Sequence, residues 1–187
     1  FEYSEKYGTP VFLRPTTRVC HGYASIMVKD ETEYTHHQPE GFIKDSKRWV
    51  IFPRLSFMNH KKIEARNQEL SDIFSSYEKN TIHPSCDAFK DSKKGIATGG
   101  ISYTYTMETL KKTGMVKTLK IATPHPFPEK LAVDFLSELD EVLCLEELDP
   151  VIERELIYIC GKYHLPTRIN GKLSGHTACA GENTRDT

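Results

Sequence analysis

Residues 94–171 read KGIATGGISYTYTMETLKKTGMVKTLKIATPHPFPEKLAVDFLSELDEVLCLEELDPVIERELIYICGKYHLPTRING, and this stretch decides the fold. Gly95-Ile96-Ala97-Thr98 is strand-like. Gly99-Gly100 makes a turn, and Ile101 to Thr113 carries a helical pattern that stops before Gly114. Val116 to Ala122 is a second strand. Pro126-Phe127-Pro128 then opens a helix reaching to about Leu139, with Leu131, Phe135, Leu136 and Leu139 inward; proline is tolerated in a first turn. Glu141 to Leu145 is a third strand. Asp149 is placed to cap the next helix, with Pro150 at its first position and Glu153 near its positive end. The inner face of that helix is Ile152, Leu156, Ile159, Cys160 and Tyr163, and Pro166 to Ile169 is a fourth strand closed by Asn170-Gly171. The order β-α-β-α-β-α-β predicts an α/β fold, with right-handed crossovers placing helices on both faces of a mostly parallel sheet, a three-layer α/β/α sandwich. Ligands of such sheets sit at the carboxyl ends of strands, here Thr98-Gly99-Gly100, Thr123-Pro124-His125-Pro126 and Glu146-Glu147.

Upstream of this unit the patterning weakens. Ile63, Leu70, Ile73, Phe74 and Tyr77 trace one face of a helix over about Leu55 to Tyr77, a strut expected to pack on the following domain. Asn80 to Lys94 reads as loop. Trp49 to Pro53 is a short strand or an anchoring hydrophobic knot. Residues 22–45 hold no sustained period and read as a linker, in which the pair His36-His37 is a poor chelate because adjacent side chains point apart. At the start, Phe1 to Tyr7 looks like a helix tail stopped by Gly8, and Pro10-Val11-Phe12-Leu13-Arg14 like a buried strand. These divisions give three expected parts: 1–21, the last α–β unit of a domain; 22–93, linker and helical strut; and 94–187, the α/β domain.

Composition narrows the function. The 187 residues carry 25 Lys+Arg and 26 Asp+Glu, so no basic surplus argues for a nucleic-acid partner. The hydrophobic fraction is 38%, enough to build a core, and no apolar run approaches the roughly 20 residues of a membrane span. Phe1 in place of an initiating Met, and a polar opening without a signal-peptide pattern, suggest an internal piece of a larger protein. The five cysteines are dispersed and no C-x-x-C occurs, which argues against a structural zinc or iron–sulfur site in this chain and for a reducing, cytoplasmic compartment.

Each candidate for chemistry has a structural competitor. Gly99-Gly100 could present backbone N–H groups to an anion, but neither G-x-G-x-x-G nor a P-loop is present, and a tight turn letting the helix lie close to the sheet is the simpler reading. Ser102, Tyr103 and Tyr105 decorate the turns that follow. Glu146 and Glu147 point to opposite faces of a strand and so cannot form a close acid/base pair; a cap or an ion pair with Arg154 or Lys130 is the alternative. His125 and His176 sit in loops at strand ends. No Ser-His-Asp or Cys-His set can be assembled from spacing.

Several of these stretches resemble the third domain of 2-oxoacid:ferredoxin oxidoreductases: Gly95 to Leu110, Thr123 to Leu131, Asp140 to Leu148 and Asn170-Gly171-Lys172. Their order, with Gly175-His176-Thr177 and Gly181-Glu182, is most similar to the α subunits of the indolepyruvate:ferredoxin oxidoreductase family. Pro10 to Arg18 resembles the end of that family's pyrimidine-binding thiamine domain. The resemblance implies a transketolase C-terminal-like fold for 94–187 and, for the whole enzyme, oxidative decarboxylation of aryl 2-oxoacids with coenzyme A. It further implies thiamine diphosphate with magnesium, [4Fe–4S] clusters, ferredoxin as electron acceptor, a β subunit and a homo-oligomer. The family's thiazolium-activating glutamate lies upstream of the matched region and its Gly-Asp-Gly metal motif and clustered cysteines downstream. This stretch is therefore expected to hold none of the family's catalytic residues and no metal site, and to serve assembly. Thr16, Thr17, Arg18 and His21 are candidates to line the approach to the cofactor cleft, with Gly99 and Gly100 as candidates for a phosphate. A stand-alone phosphate- or nucleotide-binding module, and the same domain of a pyruvate oxidoreductase or of a 2-oxoacid dehydrogenase E1β chain, remain open.

Overall fold

The computed structural model describes residues 1–34, 38–39 and 41–184; His36, His37 and Glu40 of the linker lie outside the described residues. Five strands form one sheet in the order β1-β3-β2-β4-β5: β1 (Thr81–His83), β2 (Lys94–Gly99), β3 (Lys117–Ile121), β4 (Glu141–Leu145) and β5 (Arg168–Asn170). β1 runs antiparallel to β3, and the other pairings are parallel. Helices α5 (Gly100–Thr113), α6 (Glu129–Leu136) and α7 (Val151–Tyr163) are the crossovers. The α/β sandwich is thus as expected, with every strand of 94–171 in its anticipated place.

The chain turns left in the sheet from β2 to β3, then right to β4 and β5. Right-handed crossovers therefore put α5 on one face and α6 and α7 on the other. Alternation along the strands matches: Ala97, Leu119, Ile121, Val142 and Cys144 are buried in one cluster with Phe135, Leu136, Ile152, Leu156 and Ile159. The alternate residues Ile96, Leu143 and Leu145 face α5 across a cavity of about 390 Å³. Burial in the main cluster pushes the Cys144 thiol far above its ordinary range, with Glu146 and Glu153 adding to the rise, so it is an inert core group.

The long helix α4 (Pro53–Ser75) reaches α6 through its second half, where Leu70, Ser71 and Phe74 are buried. The Ser71 hydroxyl donates to the Phe127 carbonyl at 2.6 Å. Asn80, also buried, ties the end of α4 to the loop after β3. Its Nδ2 donates to the Phe74 carbonyl at 2.9 Å and the Thr123 hydroxyl at 2.6 Å, and its Oδ1 accepts from Ala122 N and Thr123 N at 2.7 and 3.2 Å. The amino-terminal helix α1 (Glu2–Tyr7) docks on the same half of α4. Tyr3 stacks edge-on to Phe74 and Tyr77, and Arg66 donates to the Tyr7 and Gly8 carbonyls.

Five expectations are corrected. Pro10–Arg14 makes no strand: Phe12 and Leu13 are 89% and 93% exposed, because no neighbouring strand offers a ladder among the described residues. Trp49–Phe52 is neither strand nor knot: Trp49 ends α3 (Ser46–Trp49), and Ile51 and Phe52 stand in solvent. Thr81–His83, expected in a loop, is the edge strand β1, because β3 leaves one edge open for it. Asp149 does not cap α7, for a reason given below. Tyr163 is exposed at the end of α7, where its hydroxyl bonds Glu129 instead of entering the core. Two short pieces, α2 (Thr17–Cys20) and a 3-10 turn at Glu31–Glu33, are the only further helical structure described in the irregular 9–52 region besides α3.

Candidate functional site

The sheet's topological switch lies beside β2, whose neighbours β3 and β4 send their chains to the opposite face. At the carboxyl ends of these strands is a cleft of about 830 Å³. Gly99 and Gly100 form its floor. A Cβ on Gly99 would stand 2.6 Å from the Ile121 carbonyl and 3.2 Å from Ile152, and Gly100 has φ +57°, so glycine at both places is required by close approach and by a left-handed turn. Arg14, Thr16, Tyr103, Thr104 and Lys120 line one part of the cleft, and Glu146, Glu147 and Asp149 another. The Lys120 ammonium lies 4.6 Å from the centre of the Tyr103 ring, and the Tyr103 hydroxyl is 3.1 Å from His83 Nε2.

Glu146 is the best-defined polar group here. It leaves β4 and folds its carboxylate under the first turn of α7. Oε2 accepts from Val151 N at 3.0 Å and Ile152 N at 2.9 Å, and Oε1 accepts from Glu153 N at 3.0 Å. These are the N–H groups a helix start leaves without partners, and a carboxylate also suits the positive end of the helix. Asp149 was placed by sequence to make this cap, but no side-chain cap bond comes from the Asp149-Pro150 corner. Burial lifts the Glu146 carboxyl above its ordinary pKa; the three N–H donors pull it down, and neighbouring Glu153 pushes it up again. Glu153 itself is 1% exposed: one carboxylate oxygen accepts from Leu173 N at 3.1 Å, fixing the turn after β5, and the other has no partner.

The two chain ends meet at the rim. Thr17 and Arg18 line a second pocket of about 350 Å³ with Glu147, Leu148, Gly181 and Glu182, and Arg18 pairs with Glu182. Glu147 Oε1 accepts from Asn183 N at 2.9 Å, and Asn183 Nδ2 donates to the Ser102 hydroxyl at 2.8 Å. Leu148 between them is left-handed at φ 61° and exposed. The structure thus brings Thr16, Thr17 and Arg18 to the strand ends with Gly99 and Gly100. His21 does not line either pocket. His125, before a cis proline, is exposed and outside the cleft, while His176 lines the cavity on the α5 face and lies 2.9 Å from the Ser174 hydroxyl. Among the described residues no three His, Cys, Asp or Glu come together as a metal-ligand set, and all five cysteines are free. Among the described residues the donor set fits neither a magnesium–diphosphate site nor an iron–sulfur cluster.

Comparison with known proteins decides the relationship. A protein named indolepyruvate oxidoreductase subunit IorA from Methanothermobacter thermautotrophicus is 35% identical over 177 residues, which is 94% of this chain and 28% of that protein. The chain is similar to indolepyruvate oxidoreductase subunits along nearly its whole length. Proteins of the same name from Pyrococcus abyssi and Archaeoglobus fulgidus are 33% and 30% identical, over 92% and 82% of this chain and 27% and 24% of theirs. The chain thus spans about a quarter of the length of these IorA relatives. No family model matches it. The match includes the exposed 9–52 region as well as the sheet, since 94% of the chain cannot be aligned without most of it.

Proposed function

We propose that this chain is an assembly and positioning domain of a cytoplasmic 2-oxoacid oxidoreductase of the indolepyruvate:ferredoxin type. In that enzyme an aryl 2-oxoacid would be decarboxylated and oxidised with coenzyme A, and ferredoxin would take the electrons. Thiamine diphosphate would supply the carbanion chemistry and [4Fe–4S] clusters the electron path, both held by other parts of the polypeptide. Here the sheet would act as a rigid base, with residues 9–52 spread over the neighbouring thiamine-binding parts and the β subunit.

The observation that carries this reading is the distribution of burial. No described residue before Leu70 is buried, yet this region contains many large apolar side chains. The accessible surface is 13835 Å² for 21.4 kDa, whereas a compact monomer of that mass exposes about 9,100 Å². The excess is of the order that permanent interfaces bury. Large apolar side chains exposed over so long a stretch mark a region built to be covered. The phosphate-binding alternative is less well supported: an anion at Gly99-Gly100 would share its cleft with Glu146, Glu147 and Asp149, whose charges offset Arg14 and Lys120.

Hydrogen exchange of the purified chain checks the division. Amides of the described residues within 9–52 should exchange within seconds and those of β2, β3 and β4 at least a thousandfold more slowly. Comparable protection in both regions would show that the 9–52 region has a core of its own and would remove the basis for the assembly reading.

A further inference from the structure

The two faces of the sheet are finished differently. Helices α6 and α7 close one face, and α5 alone serves the other. A helix about 10 Å across covers roughly two strands spaced about 4.8 Å apart. The consequence shows on β4. Val142 and Cys144, on the α6–α7 side, are 0% and 1% exposed, whereas Leu143 and Leu145, on the α5 side, are only half-buried. With Ile96 of β2 these two leucines give the cavity of about 390 Å³ beside α5 an aliphatic floor.

The segment that follows β5 forms the outer wall of this cavity, and it is tied down along its length. Leu173 N donates to the buried Glu153 carboxylate, His176 N and Thr177 N donate to the Gly171 carbonyl at 2.9 and 3.2 Å, and Asn183 bonds Glu147 and Ser102. Two features bear on what the cavity takes. First, no Lys, Arg, Asp or Glu among the described residues lines it, in a chain whose charged fraction is 27%. Second, the hydroxyl oxygen of Thr177, in the wall, is buried without a hydrogen-bond partner among the described residues. Buried hydroxyls are ordinarily paired, so this one stands ready for a group that enters the cavity. His176 beside it places Nδ1 2.9 Å from the Ser174 hydroxyl, which leaves Nε2 for a further bond.

We propose that this cavity binds a small, neutral aromatic molecule bearing one hydroxyl or amide group, with its ring on Ile96, Leu143 and Leu145 and its polar group bonded to Thr177. A planar ring suits a site bounded by the face of a sheet and by Tyr105. A cavity of this size takes a ligand of roughly ten to fifteen non-hydrogen atoms. A phosphate or nucleotide does not suit it, because its charge would be buried with no cation to meet it. The site is separate from the cleft at the strand ends and independent of the assembly role, so its failure leaves that reading as it stands.

Methyl NMR of the whole chain, labelled at isoleucine and leucine and titrated with 2-naphthol, tests this. Shifts are expected at Ile96, Leu143 and Leu145, saturating with a dissociation constant on the order of 0.1 mM. None is expected at Leu156 and Ile159 behind the sheet, or at the exposed Leu13 and Ile51. Naphthalene-2-sulfonate, the same rings with a fixed charge, should bind about tenfold more weakly or worse. Thr177→Val keeps the side-chain shape and removes the hydroxyl. It should weaken 2-naphthol binding about fivefold or more and leave the fold intact, since that hydroxyl holds nothing in the free chain. The proposal is overturned by the absence of saturable shifts at the three floor residues, by shifts confined to Leu13 and Ile51, by equal binding of the sulfonate, or by unchanged affinity in Thr177→Val.

Discussion

Replacing Phe135 by alanine should cost about 3–5 kcal/mol of folding stability, the largest single effect expected in this chain. Its ring is fully buried at the centre of the α6–α7 side of the sheet. Gly95 on β2 makes room for it, since a Cβ there would stand 2.9 Å from the tip of the ring and 2.5 Å from Leu139. The ring is thus enclosed by a strand that has no side chain to collapse into the space left behind. In a close-packed interior the resulting cavity persists and its lining loses contacts. Urea denaturation of the variant against wild type measures the effect, which for a chain of this size corresponds to a fall of roughly 10 °C in melting temperature. A loss below 1 kcal/mol would mean that the sheet does not pack on α6 as described.

Glu146→Ala should cost about 2–3 kcal/mol, and Asp149→Ala less than about 0.5. The contrast follows from which carboxylate meets α7. Removing Glu146 leaves the Ile152 and Glu153 N–H groups without an acceptor in a buried place, leaves Val151 N–H only the Asp149 carbonyl, and removes a negative charge from the helix's positive end. Asp149 is exposed and makes no side-chain cap bond. Equal losses in the two variants would show the cap to be shared. The Glu146→Gln variant adds a sign. Burial raises the folded-state pKa of Glu146, so its contribution is fullest at acid pH and declines as pH rises from the ordinary glutamate range through the raised value. Glutamine lacks that decline, so its stability relative to wild type should improve between pH 4 and pH 8.

The parts of the fold legible in the sequence are those in which one local period repeats. The strands of 94–171 are short apolar runs bounded by glycine or proline, and the helices between them carry their apolar residues on one face. β1 escaped because three residues, Thr81, Ile82 and His83, are too few for a period; what makes them a strand is the open edge of β3. Val11, Phe12 and Leu13 show the converse, an apolar run that reads as a strand and has no ladder to join. Composition reports what a segment can do, and pairing is settled by what lies beside it.

The cleft divides in the same way. Its position was legible, because the end of a strand in a parallel sheet is a property of chain order. Asp149-Pro150 fits the local pattern of a helix start, whereas Glu146, for which the sequence allows a capping role, reaches the same N–H groups from the end of β4, five residues before the first of them. Asn80 gave no signal at all. Its amide acquires meaning only when the fold brings Thr123, 43 residues away in sequence, to within 2.6 Å. Arg18 and Glu182 likewise meet across nearly the whole chain, which no window of sequence contains.

The central claim is that this chain carries architecture and leaves the cofactor chemistry to other polypeptide. Isothermal titration calorimetry of the purified chain with thiamine diphosphate and magnesium tests it most directly. The expected result is no heat beyond dilution, because no carboxylate set among the described residues can hold the metal and the cleft's best-placed carboxylate, Glu146, is already committed to the start of α7. Saturable binding at one site with a micromolar dissociation constant would contradict the account.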